Sequence, residues 1–418
     1  MAPRSIVILV TLLVVGSGLA GCGGESKSRV IQATIGGTSI QDAVGQAKPG
    51  DIVEIGPGRY HEAVRVDRPN ITIRGVDRNT VILDGQDRLT NGFLVASNGV
   101  AIENLTIHGF VQNGIVFNGI EKVSRGKGVN PSDNYGAGNL VLDGYAARYI
   151  TAYNNGLYGI YAFASRNGLI EDVYVSGHPD SGIYIGQCKP CNATVARVTA
   201  ERNAIGYYGT NASGGVVIAQ SVFRKNRLGI APNSQKAEKL APQEDTVVVG
   251  NIVENNDDPL APAIPQGFFG AGIAIGGGTR NLVTRNLVRA NPFAGIVLLT
   301  LDAFTPSGNR IVDNLVTGNG TDLVYAPTGA SSADGNCFAG NRFGTSLPAS
   351  IESAMPCNGT STISSVPELR TPAAPPGVDY HTIPAPAPQP TMPVDGMSAR
   401  GGAAQWAPVN IDEIPLPS

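Results

Sequence analysis

Residues 177–191 read Gly-His-Pro-Asp-Ser-Gly-Ile-Tyr-Ile-Gly-Gln-Cys-Lys-Pro-Cys, which gathers a histidine, an aspartate, a tyrosine and two cysteines in one short stretch. An imidazole can take a proton near neutral pH, and a nearby carboxylate can orient it, hold a sugar hydroxyl or bind a cation. A phenol can return the proton. His178, Asp180 and Tyr184 are therefore the candidate catalytic group. A second reading stays open, because Asn291-Pro292-Phe293-Ala294-Gly295 aligns with His178-Pro179-Asp180-Ser181-Gly182. His178 then occupies a bend where other turns carry Asn291 or Asn155, with proline setting the backbone. Cys188 and Cys191 form a lone Cys-x-x-Cys without a second Cys or His pair, so a local disulfide is expected and no metal.

These groups need a frame, and the middle of the chain supplies a periodic one. Glycine followed by an apolar residue recurs at Gly114, Gly159, Gly182, Gly206, Gly229, Gly272 and Gly295, in steps of 45, 23, 24, 23, 43 and 23 residues by subtraction. The two double steps hide an irregular rung or carry an insertion. Short β-branched stretches between Gly and Asn turns, at a fixed period, describe a solenoid of strands. Tyr161, Tyr184 and Tyr208 hold equivalent places. With Ile160 and Ile183 pointing inward, alternation turns these tyrosines outward as a row suited to binding the apolar face of a sugar. Stacking on one another, or cover by a loop, is the alternative. Insertions at 120–138, 234–245 and 256–271 would wall a cleft along that row.

The chain also opens with Thr38-Ser-Ile-Gln-Asp-Ala-Val-Gly-Gln-Ala47, then Pro49-Gly-Asp-Ile-Val-Glu-Ile, Pro57-Gly-Arg-Tyr and Ile71-Thr-Ile-Arg-Gly. With the repeat, these stretches resemble the right-handed parallel β-helix, or pectate-lyase-like, superfamily, over roughly residues 31–358. The fold expected is all-β: a single-stranded right-handed parallel β-helix of about 12 coils. Ser39 is the expected N-cap of a covering helix with Ile40, Ala43, Val44 and Ala47 on its inner face, and residues 346–355 are expected to hold a second, short cap helix. Residues 359–418, rich in Pro and Ala, are expected to form a disordered or extended tail.

At the N-terminus, Ile6 to Val15 is apolar, and Leu19-Ala20-Gly21-Cys22 resembles the lipobox of bacterial lipoproteins. That resemblance implies a signal peptide over 1–21, acylation of Cys22, a tether over 22–30 and lipid anchoring at the outer face of the membrane. Four cysteines remain, an even number in an oxidising compartment, with Cys337 and Cys357 as the second candidate pair.

With 30 Lys and Arg against 33 Asp and Glu and no basic run, the charge pattern gives no reason to expect nucleic acid. The expectation is a cell-surface protein that binds or modifies a polysaccharide through Tyr161, Tyr184 and Tyr208, without a cofactor. As an enzyme it would be a lyase, an epimerase or a glycoside hydrolase; the leading chemistry is proton abstraction from a uronic acid, with His178 as base and a tyrosine as acid. The alternative is a non-catalytic adhesion or envelope-scaffold lipoprotein. The Gly-His-Gly and paired aspartates of galacturonan hydrolases, the acidic cluster of pectate lyases and the Asp-Pro-His of mannuronan epimerases are not matched, so no catalytic role carries over by resemblance.

Overall fold

In the computed structural model, residues 28–119, 141–263, 268–329, 332–366 and 369–418 are described. The signal peptide, Cys22 and the 120–138 insertion lie outside the described residues. Parallel strands stack coil on coil into a prism with three faces. One face is an 11-stranded sheet running from Val64–Val66 to Ser346–Leu347. The other two merge into a 20-stranded sheet, because Val100–His108 and Leu142–Tyr153 each pair with strands on both.

The repeated glycines are the second residues of strands in the 11-stranded face, as in Tyr158–Phe163 and Ser181–Gly186. Ile160 pairs with Ile183 and Tyr161 with Tyr184, the register the period predicts. Both long steps are insertions rather than hidden rungs, since Ile115 pairs directly with Ile160 and Leu228 with Ala271. Glycine is required here by close approach: a Cβ on Gly182 would lie 2.6 Å from Val175 Cγ2 and 3.0 Å from Asn203 Nδ2.

Inward side chains such as Ile115, Ile160, Ile183, Tyr207 and Ile230 form one continuous interior core. Helix Ile40–Gln46 closes the first coil, with Ser39 accepting from the Asp42 amide and Ile40, Ala43 and Val44 buried. The far end is closed by the single turn Ile351–Ala354, shorter than the expected cap because Ser346–Leu347 continues the sheet. Disulfides join Cys188 to Cys191 and Cys337 to Cys357.

Residues 369–418 run as an extended strap docked on the solenoid. Asn154 donates to the Ile383 carbonyl at 2.8 Å, Asn79 to that of Gln389 at 2.9 Å, and Arg285 to that of Ile414 at 2.8 Å. The Gly401 amide donates to Gly50 O at 2.9 Å. The strap reaches the first coils before turning back along the body.

Candidate functional site

His178 is not in a cleft. It is fully buried in a column of bend residues that runs from Asn155 through His178, Asn203, Asn226, Asn256 and Asn291 to Asn319. In this column Asn226 donates to Asn256 Oδ1 at 3.0 Å, and Asn256 to Asn291 Oδ1 at 3.0 Å. His178 fits because its two nitrogens reproduce the two ends of an amide. Nδ1–H donates to Asn203 Oδ1 at 2.7 Å, and Nε2 accepts from Asn155 Nδ2 at 3.2 Å, which assigns the tautomer. Burial pushes its pKa down to about 4, opposed by the Asn203 bond, so the ring is neutral. With both nitrogens occupied and no water access, His178 cannot serve as the base. The expected group of His178, Asp180 and Tyr184 is therefore not assembled: Asp180 bonds Tyr158, and Tyr184 bonds a loop glutamate.

The tyrosines do point outward, but they do not form an open platform. Tyr184 and Tyr208 are only 4% and 5% exposed and belong to a second apolar cluster on the outside of the sheet. Tyr161 stacks on Tyr158 and on Tyr184, with ring centroids 4.8 Å apart in each case, and its other neighbour is Phe163 at 5.6 Å. The ring faces are thus spent largely on one another.

Chemistry gathers at two neighbouring members of this cluster, Tyr158 and Tyr184, whose ring centroids are 5.1 Å apart. Tyr158 donates to Asp180 Oδ2 at 3.0 Å, while the buried Oδ1 has no partner among the described residues. Beside it Tyr184 donates to Glu238 Oε1 at 3.1 Å, and Asn211 donates to Glu238 Oε2 at 3.4 Å. Burial raises the Asp180 pKa to about 6, against the lowering pull of the Tyr158 bond. Burial raises that of Glu238 to about 7, against bonds from Tyr184 and Asn211. Burial and the neighbouring carboxylates hold Tyr158, Tyr161 and Tyr184 well above the usual phenol range, so these hydroxyls remain neutral donors. Two carboxyls that titrate near neutrality beside neutral phenols can move protons at physiological pH.

Tyr158 and Glu238 were not singled out by sequence. Tyr158 directly precedes the Gly159 of the repeat, a signal that was available. Glu238 lies in the 234–245 insertion, and only the fold carries that loop to Tyr184. The Cys188–Cys191 bridge holds the turn after Tyr184 and is not a metal site. Among the described residues, no set of three or more His, Cys, Asp or Glu is placed to hold a metal ion.

Comparison with known proteins adds the handedness. The sequence model described as "right handed beta helix region" matches residues 136–311. The chain is a right-handed parallel β-helix. No curated protein sequence matches it. Among solved structures it is similar to the catalytic domain of a GH87 α-1,3-glucanase in complex with tetrasaccharides. That likeness has 12% identity and a TM-score of 0.51, and covers 83% of this chain and 69% of that one. It is also similar to the A-module of an Azotobacter vinelandii mannuronan C-5 epimerase, at 12% identity and TM-score 0.46, over 73% and 89% of the two chains. At 12% identity the glucanase likeness concerns the fold alone.

Proposed function

We propose that this β-helix binds a polysaccharide at the rim of the tyrosine stack and performs acid–base chemistry on it with Asp180 and Glu238. The observation that carries the proposal is two half-buried carboxyls each held by a neutral phenol, Asp180 by Tyr158 at 3.0 Å and Glu238 by Tyr184 at 3.1 Å, with burial raising both. In this proposal Asp180 is the base and Glu238 the acid. The neutral hydroxyls of Tyr158 and Tyr184 orient the two groups. The structurally similar glucanase domain, in complex with tetrasaccharides, is in keeping with a glycan on this fold, though that likeness concerns the fold alone.

A glycan array and a turnover screen across uronate and neutral polysaccharides, run with the wild type, Asp180→Asn and Glu238→Gln, test this reading. The expected result is binding and turnover by wild type, with a bell-shaped pH profile. Asp180→Asn removes its acidic limb and Glu238→Gln its basic limb. If the wild type binds no glycan, or both variants keep wild-type turnover, the proposal is wrong. The mutual stacking of the tyrosines would then favour the second reading, a rigid envelope scaffold.

We also propose that the chain is exported and anchored through an acylated Cys22, in keeping with its two disulfides. Metabolic labelling with a fatty-acid probe should mark the wild type and not Cys22→Ser. Equal labelling of the two would remove the anchor.

A further inference from the structure

On one face of the 20-stranded sheet, Glu103, Arg148 and Glu171 occupy one row on successive coils, and the next two places in that row are Ala196 and Ala219. Long side chains give way to methyl groups there, and a hollow opens in the outer surface. The strap passes over it. Trp406, the only tryptophan of the chain, is fixed above the sheet by its indole N–H, which donates to Thr194 Oγ1 at 3.2 Å. Between strap and sheet lies a cavity of about 280 Å³ with mainly apolar walls, among them Leu169, Ala196, Ala219, Trp406 and Val409. An apolar cavity of about 150 Å³ takes one benzene ring, so this one is sized for a fused pair of rings.

We infer that this cavity is a binding site for a small uncharged aromatic molecule with one hydrogen-bonding group, and that its binding fastens the strap to the body. An alanine floor under an indole gives a flat ring apolar contact on one side and an aromatic neighbour on the other. The charged residues of the wall are already spent. Glu171 accepts from Arg148 at 2.6 Å and pairs with Arg197, which also pairs with Asp172 at 2.9 Å. An ionic ligand would therefore lose its hydration without gaining a free counter-charge. Polar contact comes instead from Gln220 and Gln405, which line the cavity and are exposed. Their side-chain amides have no hydrogen-bond partner among the described residues. The floor belongs to the solenoid and the roof to the strap, so a ligand touching both favours the docked strap over the free one. This site is independent of the proposal for Asp180 and Glu238 and stands or falls separately.

Calorimetric titration of the full chain with 2-naphthol tests the site, with 2-naphthalenesulfonate as the charged comparison. Saturable one-to-one binding of 2-naphthol is expected, with the sulfonate weaker by about tenfold or more. Ala196→Leu fills the floor and Trp406→Ala removes the roof, and each should weaken 2-naphthol binding by about tenfold or more. Trp406 lies on the strap, outside the interior core, so that variant reads the site without disturbing the coils. Saturating 2-naphthol should also slow tryptic cleavage after the exposed Arg400 of the strap severalfold in wild type, and not in Trp406→Ala. The inference is overturned if 2-naphthol does not bind saturably, if the sulfonate binds equally, if either variant binds like wild type, or if cleavage after Arg400 is unaffected by the ligand.

Discussion

Two outer faces of the same solenoid treat carboxylates in opposite ways. On the first face of the 20-stranded sheet, Glu54, Arg74, Glu103, Arg148 and Glu171 stack in register on successive coils. Arg74 meets Glu103 at 2.9 Å, and Arg148 meets Glu103 at 3.4 Å and Glu171 at 2.6 Å. On the 11-stranded face, Asp180 and Glu238 meet only phenols and an amide. A parallel stack places equivalent side chains about 4.8 Å apart, so stacked charges are tolerated when they alternate in sign. The first face does this and stays ionic. On the tyrosine face no cation is placed against Asp180 or Glu238 by the hydrogen bonds described, and burial alone raises both carboxyls towards neutral pH.

The largest effect should come from breaking the ionic column where it is buried. The Arg74 and Glu103 side chains are 5% and 4% exposed, so Arg74→Ala takes the shorter of its two ion pairs from a buried carboxylate and leaves it only Arg148 at 3.4 Å. A loss of about 3 kcal/mol is expected in denaturant unfolding. The matching change at Arg289, whose side chain is 51% exposed beside Glu254, should cost less than about 1 kcal/mol. Equal losses would mean that burial does not separate the two pairs.

Next in size is the interior column. His178→Ala removes both ring hydrogen bonds and leaves a void, at a cost of roughly 2 kcal/mol. His178→Asn rebuilds the amide ladder and should hold wild-type stability at pH 7. Because the folded pKa of His178, about 4, lies below its unfolded value, its contribution is complete above about pH 6.5 and lost as pH falls towards 4. His178→Asn should therefore lose less stability than wild type over that window. A wild-type acid profile in His178→Asn would show that the imidazole is not the buried neutral rung.

The smallest effects belong to the tyrosine face. The folded pKa values of Asp180 and Glu238 are raised, so stability from their protonated forms is complete at low pH and lost as pH rises through about 6 and about 7. Asp180→Asn and Glu238→Gln should be more stable than wild type at pH 8, with the difference shrinking as pH falls and closing only below the unfolded carboxyl pKa, near pH 4. The reverse order would contradict the burial described for these groups.

What the sequence made legible follows from the same in-register geometry. A fixed period maps each residue onto its neighbour one coil away, so Tyr161 over Tyr184, the inward Ile160 and Ile183, and the Ser39 cap could all be read directly. His178 allowed two readings, since an imidazole serves equally as a base or as an amide mimic, and only its burial decides between them. Glu238 was hidden because a loop contact across 54 residues leaves no periodic trace. The strap was hidden for a similar reason: its Pro and Ala composition resembles disorder, while the groups that hold it, such as Asn79, Asn154 and Arg285, belong to the body.

The contrast between the faces can be measured directly by carboxyl ¹³C titration of the folded protein, with Asp180→Asn and Glu238→Gln used for assignment. The account predicts two side chains titrating near pH 6 and pH 7, lost one at a time in the two variants. If both carboxyls titrate near pH 4, the tyrosine face holds no acid–base pair.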